Sequence, residues 1–371
     1  MICLKLATRT SSFQVEVDAT PADCGVANIN YERKPPCSTG YAKHRYQLRG
    51  LAVPTTPNRQ GPHRIALATE ATGSTDLAQK LRDNAQRGHH NLTAFTLSNG
   101  KVSFAGLGAD EHTEVEIGSV TKMFTAELIR QEVSEGNLKY DARVGQFLDT
   151  GDSPISDVRI EELMEHTSGL PRLAATNPFT GISTMLTGGN PYAKETKEQL
   201  IDAATSSDLA GRGEENYSNL GYGLLGLILE EASGKPFEQL LQEKIFAPIG
   251  MHETYLMTPG SVPSDAPHGY TSRGEKAQPW EFPASGAAGG IRSTPKDMSL
   301  FANWLIVQGD FQHGWQENEA PVPAGYWHNG GTYGYSTMLI IDPQSSKVAF
   351  VSNDTEKGTE ELARTIFGEL H

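Results

Sequence analysis

The sequence predicts an α+β fold: an antiparallel sheet flanked by helices, with a mainly helical part inserted into it. Three observations carry this. A strand pair with a two-residue turn lies at residues 92–108, two more alternating runs lie at 335–353, and the stretch between, about 119–280, reads as helices and loops. Strands at both ends with helices between are expected to meet in one sheet. A cleft between the sheet part and the helical part is the natural place for a site.

Residues 1–73 stand apart. They are rich in Pro, Thr and Arg, with loop-like spans "RKPPCSTG" and "VPTTPNRQGP" around short strand-like pieces such as "FQVEV" and "HRIALA". They are read as an N-terminal extension whose order the sequence leaves open. Residues 74–371 form the main domain, with a sheet part at about 74–118 and 281–371 and a helical part at about 119–280. "STDLAQKLRDNAQRG" opens on a capping serine and closes on glycine, a helix signal. "LTAFTLSNGKVSFAGLG" follows, two alternating runs joined by Asn99-Gly100, the strongest short hairpin signal. In the middle, "NYSNLGYGLLGLILEEASG" (216–234) is apolar nearly all round, so it is expected to be buried. "YSTMLIID" and "KVAFVSN", joined by "PQSSK", return the chain to strands, and "GTEELARTIFGEL" closes it as a helix.

Composition narrows the function classes. The 371 residues are 37% hydrophobic and 20% charged, a globular balance. The formal net charge is −14 and no basic stripe is visible, which argues against nucleic acid and anionic membrane surfaces as partners. No apolar run approaches the roughly 18 residues of a membrane span. "MICLKLATRT" lacks an apolar core, so no signal peptide is legible. The compartment stays open: extracytoplasmic if a leader has been removed, otherwise cytoplasmic. Cys3, Cys24 and Cys37 all precede the later motifs and match no zinc spacing. They read as free thiols, with a Cys24–Cys37 disulfide as the alternative in an oxidising compartment.

Chemistry could reside in three places. The first is "GSVTKMFTA" (118–126), one of three Ser-x-x-Lys pairs. Ser98/Lys101 flank the hairpin turn, and Ser293/Lys296 lie around Pro295 at a helix start. Ser119/Lys122 instead share one face of a helix whose apolar residues recur at Val120, Phe124 and Leu128. A serine hydroxyl needs a base to become a nucleophile, and a lysine amine serves only if burial or a neighbouring cation depresses its pKa. The second is Tyr217 and Asn219 at the entry of the apolar helix: a proton relay and an amide-binding group, or simply a packed helix end. The third is "WHNGGTYGYST" (327–337), where Gly330, Gly331 and Gly334 permit close backbone approach and oxyanion donors, or a plain turn into a strand.

Ser-x-x-Lys, Tyr-x-Asn and His-x-Gly in this order resemble the penicillin-recognising serine hydrolases, which include class C β-lactamases, D-alanyl-D-alanine peptidases and β-lactamase-like esterases. "LMEHTSGLP", "IFAPIGMHETYL" and "AAGGIRSTPKDM" extend the resemblance over about residues 74–371. It implies a β-lactamase/transpeptidase-like fold and acyl transfer without metal or cofactor. Ser119 would be the acylated nucleophile, with Lys122 and Tyr217 sharing acid and base duty. Asn219 would orient a substrate, with His328 and Gly330 on the strand lining the cleft. The N–H groups of Ser119 and Gly331 would form the oxyanion hole.

The third motif departs from the lactamases, which usually have lysine and a hydroxyl residue before the glycine; here stand His328 and Asn329. The expected substrate is a small molecule or short peptide, a D-alanyl peptide or simple ester, and no partner protein is implied. A true β-lactamase and an acyl-trapping sensor without turnover are the alternatives. If His328 lines the cleft and titrates normally, carboxylated substrates should gain at mildly acidic pH.

Overall fold

The structure, a computed structural model, describes residues 65–174, 187–317 and 325–370. The three cysteines and "FQVEV" lie outside these. Of "HRIALA", Ile65–Ala68 run outside any strand, with the Ala68 N–H donating to the His90 carbonyl at 3.0 Å.

Ten strands are present among the described residues: β1 Ala71–Gly73, β2 Leu92–Ser98, β3 Lys101–Leu107, β4 Val115–Glu116, β5 Tyr255–Leu256, β6 Ile291–Ser293, β7 Gln316–Glu317, β8 Tyr326–Gly331, β9 Ser336–Asp342 and β10 Lys347–Asn353. Seven form one sheet in the order β1-β3-β2-β10-β9-β8-β7, every pair antiparallel. The expected junction of the chain's two ends is the β2/β10 pairing, with Phe95 opposite Phe350 and their rings stacked at 5.5 Å. Asn99 and Gly100 both have positive φ (52° and 73°), the geometry a two-residue hairpin turn demands.

The sheet also takes in Ala71–Gly73, inside the span 1–73 expected to be an N-terminal extension. Three residues ending in glycine carry no alternation to read. A second sheet, β4-β6-β5, is equally short, and its β5 falls inside the mainly helical part.

Strand alternation sorts the core into two layers. Leu92, Ala94, Met338, Ile340, Ala349 and Val351 pack against Leu77 and Leu81 of helix α1 (Thr75–Asn84) and Leu362 and Ile366 of the closing helix (Glu360–Gly368). Phe95, Leu97, Leu339, Ile341, Val348 and Phe350 face the other way, onto the helical part. Helix α1 starts at its predicted cap, Ser74, but stops at Asn84 rather than near Gly88. The Gln86 N–H there donates to His89 Nδ1 at 3.1 Å, a turn that competes with further helix.

Two helices of the inserted part matter for the site. Helix α2 (Thr121–Ser134) is buried on most sides, and its Phe124 stacks on Phe301 at 3.7 Å. Helix α3 (Asn219–Ser233) is buried continuously from Leu220 to Leu229, as its apolar circumference requires. A short turn at Gly286–Ala288 packs against both.

Candidate active site

Ser119 sits in a single 3₁₀ turn, Gly118–Val120, that runs directly into α2. The chain enters this turn through Gly118 at φ +51°. A Cβ there would lie 2.6 Å from the Gly331 backbone nitrogen, so position 118 needs glycine for both its backbone conformation and its close approach to β8. Gly118→Ala is therefore expected to cost about 1–3 kcal/mol of strain and to push β8 away from Ser119. Thermal melts and turnover together check this; a variant with unchanged melting temperature and rate would contradict the close packing described.

Lys122, one turn on, is fully buried. Its Nζ lies 2.6 Å from the Ala288 carbonyl oxygen, 2.8 Å from Asn219 Oδ1 and 3.2 Å from Ser119 Oγ. Burial first, then the Arg172 guanidinium, hold its pKa well below that of an ordinary lysine. A neutral amine has two N–H donors and one lone pair. The two carbonyl oxygens can only accept, so they take the two donors. In that neutral form the lone pair would be left for the Ser119 hydroxyl.

Tyr217 enters from the start of α3. Ser218, not Tyr217, caps that helix: its Oγ accepts from the Gly221 N–H at 3.0 Å and donates to the Pro171 carbonyl at 2.7 Å. The Tyr217 hydroxyl is thereby free to donate to Ser119 Oγ at 2.6 Å. Burial pushes its pKa up to about 12, partly offset by the Ser119 contact and by Arg172, so it is a neutral phenol at pH 7. Ser119 Oγ thus accepts from Tyr217 and lies within hydrogen-bond distance of Lys122 Nζ.

Asn219 has a further part besides the one expected. Its Oδ1 takes a Lys122 N–H and its Nδ2 donates to the Tyr192 hydroxyl at 3.1 Å. One Nδ2 hydrogen remains and Asn219 lines the cavity, so it orients the lysine while still offering a donor there.

A cavity of about 1350 Å³ opens over Ser119. Gly331 lines it with Ser119, which brings the two expected oxyanion donors to one space. Tyr192, Trp280, Phe282 and Tyr333 form an aromatic wall, with Tyr192 and Phe282 rings 4.5 Å apart and Trp280 edge-on to Tyr333 at 5.0 Å.

His328 and Gly330 sit on β8, the strand whose Gly331 lines the cavity, but neither lines it directly. Gly330 is buried, and a Cβ there would sit 2.0 Å from the Ile117 carbonyl oxygen; its role is to let β8 press on the chain before Ser119. His328 is 4% exposed, 6.5 Å from Tyr217 ring to ring, and its Nδ1–H donates to the Asn329 carbonyl at 2.6 Å. Burial, reinforced by Lys122, lowers its pKa to about 3. It stays neutral across the physiological range, so the expected acid-side gain for carboxylated substrates has no titrating group behind it. Strand alternation puts His328 and Gly330 on the Leu339 face of β8, toward the helical part, and Trp327 and Asn329 on the face against the closing helix; burial, not orientation, keeps His328 off the cavity wall.

The two other Ser-x-x-Lys pairs lie outside the cavity lining. Ser98 and Lys101 face each other across the hairpin end, and Ser293 is buried in β6 against Thr254 at 2.8 Å.

The arrangement matches a known family. A family profile described as "Beta-lactamase" matches residues 77–369. This chain belongs to the β-lactamase family of serine hydrolases. Its fold is the β-lactamase/transpeptidase-like fold: the β-lactamase/D-alanine carboxypeptidase from Pseudomonas syringae superposes with a TM-score of 0.66 at 18% identity, covering 79% of this chain and 96% of that one. Penicillin-binding protein 4 of Amycolatopsis lactamdurans is 23% identical over 76% of this chain and 82% of its own length. The D-alanyl-D-alanine-carboxypeptidase/endopeptidase AmpH of Escherichia coli (strain K12) is 30% identical over 53% of this chain and 50% of its own. A D-aminopeptidase of Cereibacter sphaeroides is 25% identical, with 60% and 42% covered. The chain thus spans half or less of the last two.

Four residues of this β-lactamase-family site escaped the motif reading: Ala288, Tyr192, Arg172 and His166. The first acts through a backbone carbonyl, which no side-chain pattern reveals. His166 is buried with φ +59°, accepts the Ser218 N–H on Nδ1 at 3.1 Å, and packs its ring 4.4 Å from that of Tyr217. It lies in "LMEHTSGLP", where spacing alone assigns it nothing. Among the described residues no helix is long and apolar enough to cross a membrane.

Proposed function

We propose that the chain hydrolyses small amides or esters, D-alanyl peptides and simple esters, through an acyl-enzyme on Ser119. One observation carries this reading: the Ser119 hydroxyl is held between a buried lysine of depressed pKa and a neutral tyrosine. In the first step the Ser119 proton passes to the Lys122 lone pair as Oγ attacks the carbonyl. The Ser119 and Gly331 N–H groups would hold the developing oxyanion. The leaving group collects a proton from the Lys122/Tyr217 pair, and water repeats the sequence to release the acid. The aromatic wall suits a compact acyl group, and the similarity to a D-alanyl-D-alanine carboxypeptidase/endopeptidase supplies the D-alanyl class.

A panel of nitrocefin, an N-acylated D-Ala-D-Ala peptide and short p-nitrophenyl esters tests it, each with Ser119→Ala alongside. Sustained turnover of peptide or ester with slow nitrocefin hydrolysis supports the reading. Nitrocefin as the preferred substrate would favour a β-lactamase instead. One stoichiometric burst that then stops would make the protein an acyl-trapping sensor.

The acid limb of kcat/KM should report Lys122. Its protonated form cannot accept the serine proton, so the rate falls as pH drops through its lowered pKa and is full above it. His166 and His328, both held near 3, should contribute no step between about pH 5 and 8. A limb near 6.5 that disappears in His328→Asn would contradict this assignment.

A further inference from the structure

The buried, neutral His328 leaves the third motif without a cation. A cation is nevertheless present at the site, on another element. Arg172 lines the same cavity as Ser119. Its guanidinium carbon lies over the Tyr217 ring, 5.0 Å from the centroid, and the hydroxyl of that ring touches Ser119 Oγ. The backbone of Arg172 is pinned to the site, because its carbonyl accepts the N–H groups of Asn219 at 2.9 Å and Leu220 at 3.4 Å, the first residues of α3. Its side chain is exposed, and no carboxylate among the described residues forms an ion pair with it. A guanidinium over an aromatic face keeps its in-plane N–H groups available, and their fork matches a carboxylate.

We propose that Arg172 binds a carboxylate of the substrate at the cavity mouth, supplying from the "SGLPR" loop the cation that the third motif lacks. This rests on the acyl-transfer reading above. It also replaces the pH behaviour expected from the sequence. Arginine stays charged throughout the working range, so the preference for carboxylated substrates holds from about pH 5.5 to 8.5 instead of appearing on the acid side. Lys194 also lines the cavity, but no contact ties it to Tyr217 or Ser119.

The test compares p-nitrophenyl acetate with its ring-carboxylated analogue in the full-length protein. The readout is the ratio of their kcat/KM values in the wild type, Arg172→Gln, Arg172→Lys and Lys194→Gln. A ratio is needed because any change in Lys122 basicity on losing Arg172 moves both esters together, whereas carboxylate binding moves one. Arg172→Gln is expected to lower the ratio about tenfold, the scale of one charge-assisted pair near solvent, mainly through KM. Arg172→Lys should keep part of it and Lys194→Gln all of it. An unchanged ratio in Arg172→Gln, or a loss in Lys194→Gln instead, overturns the proposal while leaving the hydrolase intact. Absence of Ser119-dependent turnover with either ester overturns the hydrolase reading and the proposal with it.

Discussion

Ser119→Ala abolishes turnover of every accepted substrate, while Ser98→Ala and Ser293→Ala leave it in place. The expected loss is on the order of 10⁶ in kcat, the scale set by deleting a serine nucleophile in other hydrolases. Three Ser-x-x-Lys pairs compete in the sequence, and their surroundings separate them. Ser119 Oγ has a neutral donor at 2.6 Å and a buried amine at 3.2 Å. Ser98 and Lys101 close a hairpin, and Ser293 Oγ is occupied by Thr254 in a buried sheet. Labelling with a fluorophosphonate followed by peptide mapping gives an independent measurement; modification of a serine other than Ser119 would refute the assignment. Ser119→Ala removes one half-buried oxygen, so its melting temperature should stay close to that of the parent.

Lys122→Ala and Tyr217→Phe each lose about 10²–10⁴ in rate, the usual cost of removing a general base or acid. The double variant loses far less than the product of the two. Both groups act on the same Oγ, so once the base has gone the second donor has little left to assist. Independent, multiplying effects would contradict the shared role. The two variants should differ in stability. Tyr217→Phe deletes one hydroxyl. Lys122→Ala also strips donors from Ala288 O and Asn219 Oδ1, and buried acceptors left unpaired cost about 1–3 kcal/mol each. The lysine variant is therefore expected to melt lower, and its rate should be measured well below that transition.

By itself the sequence determined the layered architecture and the three motifs. Alternation in "LTAFTLS", "YSTMLIID" and "KVAFVSN" specifies strands with two buried faces, and Asn99-Gly100 specifies the turn from the first of them into "KVSFAGL", because these depend on near neighbours in the chain. The apolar circumference of 219–233 likewise requires burial wherever the helix lies. Ser119, Lys122 and Tyr217 were legible as chemistry because their spacing and order are properties of the chain. Only the tertiary structure decided what each group faces. His328 and Gly330 lie in the motif and on the side of β8 that faces the helical part, yet close packing buries them, and the electrostatic cost of a charge among buried groups keeps the histidine neutral. Asn219, expected to hold substrate, also holds Lys122, since a buried amine must satisfy its donors. The second of those donors goes to a backbone carbonyl at Ala288, and the cation beside Tyr217 comes from Arg172, 45 positions earlier in the chain. Contacts made by backbone atoms, or across such separations, leave no local pattern. They exist only once the sheet and the inserted helices have closed on one another.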